Sequence, residues 1–246
     1  MNHPPVIDVV IPAFNEEGAL PLVLAALPLE LIRRVVVADN NSTDGTAAVA
    51  RRGGAIVVPA TRQGYGSACL AALAFLAADP PDIVVFVDAD FADDPSELPR
   101  LIEPIASGRA DLVIGSRTLR PQPAGAFTPQ QYFGNKLACF LMRALLNARF
   151  TDLGPFRAVT WPTLQRLQMG DPDFGWTVEM QIKAAKAHVA FEEIAVDYRP
   201  RAAGQSKIAG TLGGTLRAGR KILGLIFVHA VLSRRRKGQS PNRRNA

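Results

Sequence analysis

The chain has 246 residues, 48% of them hydrophobic and 7% aromatic, with a formal net charge of +6. This length and apolar content exclude a disordered or fibrous chain and fit one globular domain, or a domain with an appendage. The two cysteines, Cys69 and Cys139, lie in Ala/Leu-rich stretches and read as small buried hydrophobes of a reducing compartment, which excludes a disulfide scaffold.

Met1-Asn2-His3-Pro4-Pro5 has no basic segment followed by an apolar one, so no secretory signal is expected. The short Val/Ile-rich runs Val6 to Pro12, Arg34 to Ala38, Ala55 to Val58, Ile83 to Val87 and Asp111 to Ile114 predict strands. Between them, Gly18 to Ala26, Gly45 to Arg52, Ser67 to Ala78 and Pro95 to Ala106 predict helices. This alternation predicts an α/β fold with a mostly parallel central sheet flanked by helices. Ligands of such sheets bind at the carboxyl ends of the strands, where Asn15-Glu16-Glu17, Asp39-Asn40-Asn41 and Asp88-Ala89-Asp90 fall. Two carboxylates at i and i+2, delivered by a buried strand, suit a hard divalent cation holding a diphosphate, although short acidic pairs also cap helices. No G-x-G-x-x-G follows the first strand and no P-loop pattern occurs, which argues against dinucleotide and P-loop chemistry.

Beyond Ser116, a Pro/Gln/Gly-rich stretch from Leu119 to Pro129 precedes predicted helices over Tyr132 to Ala148 and Val178 to Ala187, then a strand over Ala190 to Tyr198. His3, His188 and His229 share no ligand spacing, and Trp161 and Trp176 read as packing elements. From Arg199 to Ala246 there are twelve Lys/Arg and no Asp/Glu, so the body stands near −6 and the tail near +12. Such polarity predicts a tail that meets phosphates, a lipid surface or nucleic acid. The uncharged run Ile222 to Ser233 is twelve residues long, short of the ~20 needed to span a bilayer, so it can lie on a membrane but hardly cross one.

The segments Val9-Val10-Ile11-Pro12-Ala13-Phe14-Asn15-Glu16, Ala38-Asp39-Asn40-Asn41-Ser42-Thr43-Asp44-Gly45-Thr46, Asp88-Ala89-Asp90 and Gly115-Ser116-Arg117 occur together in this order. In this the chain resembles the family 2 inverting glycosyltransferases, in particular the dolichyl-phosphate mannose synthase and polyprenyl-phosphate glucosyltransferase branch. The resemblance implies a GT-A nucleotide-diphospho-sugar transferase fold over residues 1–209, with residues 210–246 as a basic amphipathic segment and disordered tail. It implies Mg²⁺ or Mn²⁺ on Asp88 and Asp90, with Ala89 beside them against the nucleotide sugar. The related enzymes usually place a glutamine where this chain has Ala92, so Asp93 or water is expected to take that place.

Pro12, Phe14 and Glu16 form a turn able to wrap a nucleobase and ribose, while Asn15 caps the following helix. Asp39 resembles the family's base-binding aspartate, and Asp44 is read as a cap. Arg62, in Arg62-Gln63-Gly64-Tyr65-Gly66-Ser67, offers charge to a diphosphate or belongs to a plain tight loop. Arg117 is expected to grip the acceptor phosphate or the leaving phosphate, or to form a surface salt bridge, and Asn135 is expected on the acceptor side. Arg201, Ser206 and Lys207 fit the family's R-x-x-G-x-S-K phosphate loop. Glu179 either hydrogen-bonds sugar or caps a helix. Asp152 matters if the acceptor is a hydroxyl, which needs a general base, whereas an acceptor phosphate is already nucleophilic.

The implied function is transfer of glucose or mannose, from UDP-glucose or GDP-mannose, to a dolichyl or undecaprenyl phosphate. The enzyme would sit peripherally on an anionic membrane surface, at the cytoplasmic face. One alternative is the same fold acting on a soluble or saccharide hydroxyl, with Asp152 or Glu179 as base. A distant one is a nucleotide-binding regulatory module with a nucleic-acid-binding tail; no nucleic acid is expected, because no basic-aromatic surface pattern occurs outside the tail.

Overall fold

The computed structural model describes residues 4–203 and 219–231. Seven strands, β1 (Ile7–Ala13), β2 (Arg34–Asp39), β3 (Ile56–Pro59), β4 (Ile83–Phe86), β5 (Leu112–Ser116), β6 (Arg157–Thr160) and β7 (Phe191–Ala195), form one sheet ordered β3-β2-β1-β4-β6-β5-β7. The first four strands pair in parallel, β6 enters antiparallel between β4 and β5, and β7 lies parallel to β5.

The strand residues alternate between two apolar layers, as the two-residue period of a strand requires. Val10, Val36, Val84 and Phe86 face α3 (Tyr65–Leu76), α5 (Pro129–Leu146), α6 (Trp161–Leu167) and α7 (Trp176–Lys186). Val9, Ile11, Val37 and Val85 face α1 (Leu20–Ala26), α2 (Thr46–Arg52) and α4 (Leu98–Ala106). Cys69 and Cys139 are buried in α3 and α5 as free thiols. This α/β arrangement, a mostly parallel sheet between helices, is the one the sequence predicts.

Several sequence expectations move. The helix expected from Pro95 divides into a 3-10 turn, Pro95–Glu97, and α4, and neither β6 nor α6 was expected. Asn15 does not cap α1: with φ 54° it turns away, and its Oδ1 accepts from Thr43 N–H at 2.8 Å. The Glu16 carbonyl instead accepts from Leu20 N–H at 2.9 Å. Part of the C-terminal segment, residues 219–231, is helical and seats Ile226 and Ala230 in the core. The rest of residues 210–246, including the tail expected to be disordered, lies outside the described residues, as do Ser206 and Lys207.

Candidate active site

The chain runs β1, β2, β3 to one side and returns to β4 on the other, so a crevice opens at the carboxyl ends of β1 and β4. Each adjoining turn bends through a left-handed residue, Asn15 after β1, Asn41 after β2 and Phe91 (φ 59°) after β4. Asparagine tolerates this conformation, but a phenylalanine there costs ~1–3 kcal/mol and is held by its surroundings. Arg199 stacks over the Phe91 ring at 4.3 Å, which fixes the corner carrying Asp88 and Asp90.

A cavity of about 520 Å³ occupies this crevice. Of the expected nucleotide-sugar residues, Pro12, Phe14, Glu16, Asp88, Ala89 and Asp90 line it, joined by Arg201. Ala13, Asn40, Gln63, Gly64, Tyr65, Ala68, Asp173, Phe174 and Lys221 complete the wall; Asn40 and the loop residues lie in segments the sequence marked, but none was singled out as a contact.

Asp88 is half-buried, and its Oδ1 accepts from Tyr65 Oη at 3.0 Å. Burial, reinforced by the neighbouring Asp90 charge, pushes its carboxyl up to about 7. Asp90 accepts from Ala92 N–H at 3.0 Å and pairs with Arg201 Nη1 at 2.9 Å. The other Arg201 nitrogen pairs with Glu16, and Ala202 N–H donates to the Asp90 carbonyl at 3.2 Å. Residues 199–203 thus cross the mouth of the crevice from β4 towards β1. Burial opposes the Arg201 charge, but Asp90 and Glu16 outweigh it and raise its pKa.

Asp88, half-buried, and Asp90, buried, are neighbouring acids at this corner, and such a pair suits a cation. Asp88 and Asp90 supply hard oxygen donors, and among the described residues no third His, Cys, Asp or Glu joins them. The remaining ligands of a divalent ion would come from the diphosphate and water. Asp93 does not join Asp88 and Asp90 in a three-carboxylate cluster among the described residues; its carboxyl is buried, finds no hydrogen-bond partner among them, and is pushed well up by burial.

Asp39 and Arg62 lie outside the cavity lining. Asp39 Oδ1 accepts from Ser42 N–H at 3.1 Å, closing its own turn, while Arg62 reaches Asp173 at 3.8 Å with most of its side chain in solvent. Asn40 makes the connection instead, donating to the Arg62 carbonyl at 2.8 Å and accepting from Gly64 N–H at 2.7 Å. Asp44 accepts from Thr46 N–H at 2.9 Å at the start of α2.

The glycine loop packs tightly. A Cβ on Gly66 would overlap the Asp171 carbonyl oxygen, whereas one on Gly134 of α5 would meet nothing within 4 Å. Gly66→Ala is therefore expected to lower stability by about 2 kcal/mol, and Gly134→Ala to raise it by about 0.5 kcal/mol, as thermal melts will read. Tyr65→Phe removes the donor on Asp88 and should weaken Mn²⁺-dependent nucleotide binding roughly tenfold, as a calorimetric titration will read.

Arg117 and Asp152 form a separate buried pair outside the cavity lining. Arg117 Nε and Nη2 each donate to an Asp152 oxygen at 2.8 Å, and Arg117 N–H adds a third bond. The guanidinium lies 4.8 Å from the Tyr198 ring centre and 5.2 Å from that of Phe127. Burial would raise Asp152, but Arg117 wins and holds the carboxyl below its ordinary value. A carboxylate so held is poorly suited to take a proton. Asn135 braces the same loop, accepting from Leu153 N–H at 2.9 Å. Glu179 accepts from Gly170 and Asp171 N–H at 3.1 and 2.8 Å and pairs with Lys183, so it braces the turn before α7 and does not face the cavity.

Residues 8–161 match Glycosyl transferase family 2. An uncharacterized glycosyltransferase of Mycobacterium tuberculosis is 41% identical, over 85% of this chain and 93% of its own length. A dolichyl-phosphate hexose transferase of Haloferax volcanii is 32% identical over 84% of this chain and 88% of its own. An undecaprenyl-phosphate mannosyltransferase of Micrococcus luteus is 28% identical over 83% and 88%. Glucosyl-3-phosphoglycerate synthase from Mycobacterium tuberculosis, solved with Mn²⁺, UDP and phosphoglyceric acid, superposes with a TM-score of 0.75 at 25% identity, covering 92% of this chain and 78% of that one. The strand-end carboxylates, the parallel sheet that presents them and the matched residues agree, and the chain belongs to glycosyl transferase family 2.

Proposed function

We propose that the protein transfers glucose or mannose from UDP-glucose or GDP-mannose to a polyprenyl phosphate at a membrane surface. The donor half rests on the cavity at the β1 and β4 ends and on the Mn²⁺ and UDP bound by the structural relative. Mg²⁺ or Mn²⁺, held by Asp88 and Asp90, supplies charge neutralisation for the diphosphate leaving group. Arg201 shifts from these acids to the phosphates, because a guanidinium forks onto phosphate as readily as onto carboxylate. Arg201, with Lys207 from outside the described residues, holds the acceptor phosphate for in-line attack, and Arg117, whose Nε and Nη2 are taken by Asp152, offers it Nη1. Positioning and electrostatics then carry the reaction, and no general base is required.

The observation favouring a lipid acceptor over a soluble one such as phosphoglycerate is exposed apolar surface on two helices, one of them a wall of the donor cavity. Phe133, Leu137 and Phe140 are 68%, 49% and 65% exposed at helical spacing along α5, and Phe227, Val228 and Val231 are exposed on the 219–231 helix that lines the cavity through Lys221. Among the described residues no helix is long and apolar enough to cross a membrane. Labelled hexose from either donor should enter organic-extractable lipid when undecaprenyl or dolichyl phosphate and Mn²⁺ are supplied. Absence of lipid product from both donors would overturn the reading.

A further inference from the structure

The 219–231 helix presents two faces. Towards the protein, Ile226 and Ala230 are buried, Leu225 packs on Gly175, and Lys186 Nζ donates to the His229 carbonyl at 3.0 Å. Lys221 lines the donor cavity, with Nζ 2.9 Å from Asp171 and 4.0 Å from Asp173. The segment it grips is itself a cavity wall. Asp173 and Phe174 line the cavity, and the Pro172 and Asp173 carbonyls accept from Ser67 and Gly66 N–H at 2.8 and 3.2 Å. Those amides open α3, whose Tyr65 holds Asp88. Direct contacts therefore lead from Lys221 through Asp171–Asp173 and the α3 start to the metal-binding corner.

Away from the protein, Phe227, Val228 and Val231 are about half exposed, and the exposed Arg220 stands on the same side at 100° per residue. Residues 232–246, which continue from this face in sequence, contain six Lys/Arg and no Asp/Glu. Basic and apolar groups together match an anionic lipid surface.

We propose that this helix is a wall of the donor site, and that an anionic lipid surface covering its outer face tightens nucleoside-diphosphate binding. The inference rests on the donor and membrane reading above and adds a coupling between them. This helix contains Gly219 and Gly224, and glycine disfavours a helix interior, so its seated state depends on what packs against it. Lipid contact on Phe227, Val228 and Val231 stabilises the helical form. The seated helix sets Lys221 and Leu225 against the Asp171–Gly175 wall. By linkage, nucleotide must then tighten lipid binding by the same factor.

The test uses the full chain with Mn²⁺ and whichever of UDP or GDP it binds, titrated alone, with phosphatidylcholine vesicles and with vesicles rich in phosphatidylglycerol. The anionic vesicles are expected to lower the nucleotide Kd about fivefold or more, and the neutral ones to leave it unchanged. Lys221→Gln is expected to float with the anionic vesicles but to lose the Kd shift. Phe227→Asp, at an exposed position, should neither float nor show the shift. A wild-type Kd indifferent to anionic vesicles, or a full shift in Lys221→Gln, overturns the coupling. Lipid product formed without any coupling removes this inference alone, whereas coupling without lipid product removes only the acceptor assignment.

Discussion

Asp90→Asn will keep its fold and lose hexose transfer by about 10²–10³-fold or more. Asparagine has nearly the same shape and can still accept from Ala92 N–H, so the turn after β4 persists. What disappears is the negative charge at the cavity wall, where Asp90 faces Arg201 at 2.9 Å and neighbours Asp88. With one carboxylate left, the corner no longer holds a divalent cation on a diphosphate. Arg201, relieved of one partner, remains paired with Glu16. Calorimetry should find Mn²⁺-dependent nucleotide binding lost while the melting temperature moves by only a few degrees. Near-normal transfer by this variant would show that the corner is not the metal site.

Asp152→Asn will act through stability. It leaves the Arg117 guanidinium, only 12% exposed, without a counter-charge, and breaking a buried pair in this way costs ~3–5 kcal/mol. For a chain of this size the melting temperature should fall by roughly 10 °C. The pH dependence has a definite sign. The folded Asp152 pKa lies below its unfolded value because Arg117 outweighs burial, so its contribution is present above the ordinary carboxylate pKa and is lost as pH falls through the folded one. Wild type should therefore lose stability on acidification more steeply than the variant. The melting shift follows from the observed Arg117–Asp152 contact, and because Asp152 fixes Arg117, turnover should fall with it while donor binding stays normal.

The donor side of the site is legible in the sequence because it sits on a rule of topology. Val/Ile runs alternating with helices imply a parallel sheet, and the polar residues that end those runs must then share one rim, which places Glu16 and Asp88 together. The short inserted strand β6 was not legible. Its four residues, Arg157–Thr160, show no periodicity, and Arg157 is charged yet fully buried, donating to the Leu153 and Gly154 carbonyls. Burial lowers its pKa to about 10.

Within the right loops, side-chain direction was also hidden. Arg62 looked like the phosphate contact of its glycine loop, but the backbone turns it to the rim and points Tyr65 at Asp88. At the β2 end Asn40 faces the cavity and Asp39 folds back on Ser42. Asp173 and Lys221 reach the cavity only through packing of distant helices, which no local pattern announces. For Lys221 a signal did exist, in the helical spacing of Lys221 and Leu225 relative to Phe227 and Val231. That spacing separates a cavity side from an outer side once the helix is known to be seated.

The most direct measurement is an acceptor competition. The enzyme receives labelled UDP-glucose or GDP-mannose, Mn²⁺ and equal amounts of undecaprenyl phosphate in vesicles and 3-phosphoglycerate in solution, and the label is partitioned between organic and aqueous phases. The account predicts label in the organic phase, abolished by Asp90→Asn. Label confined to an aqueous phosphoglycerate product would contradict it.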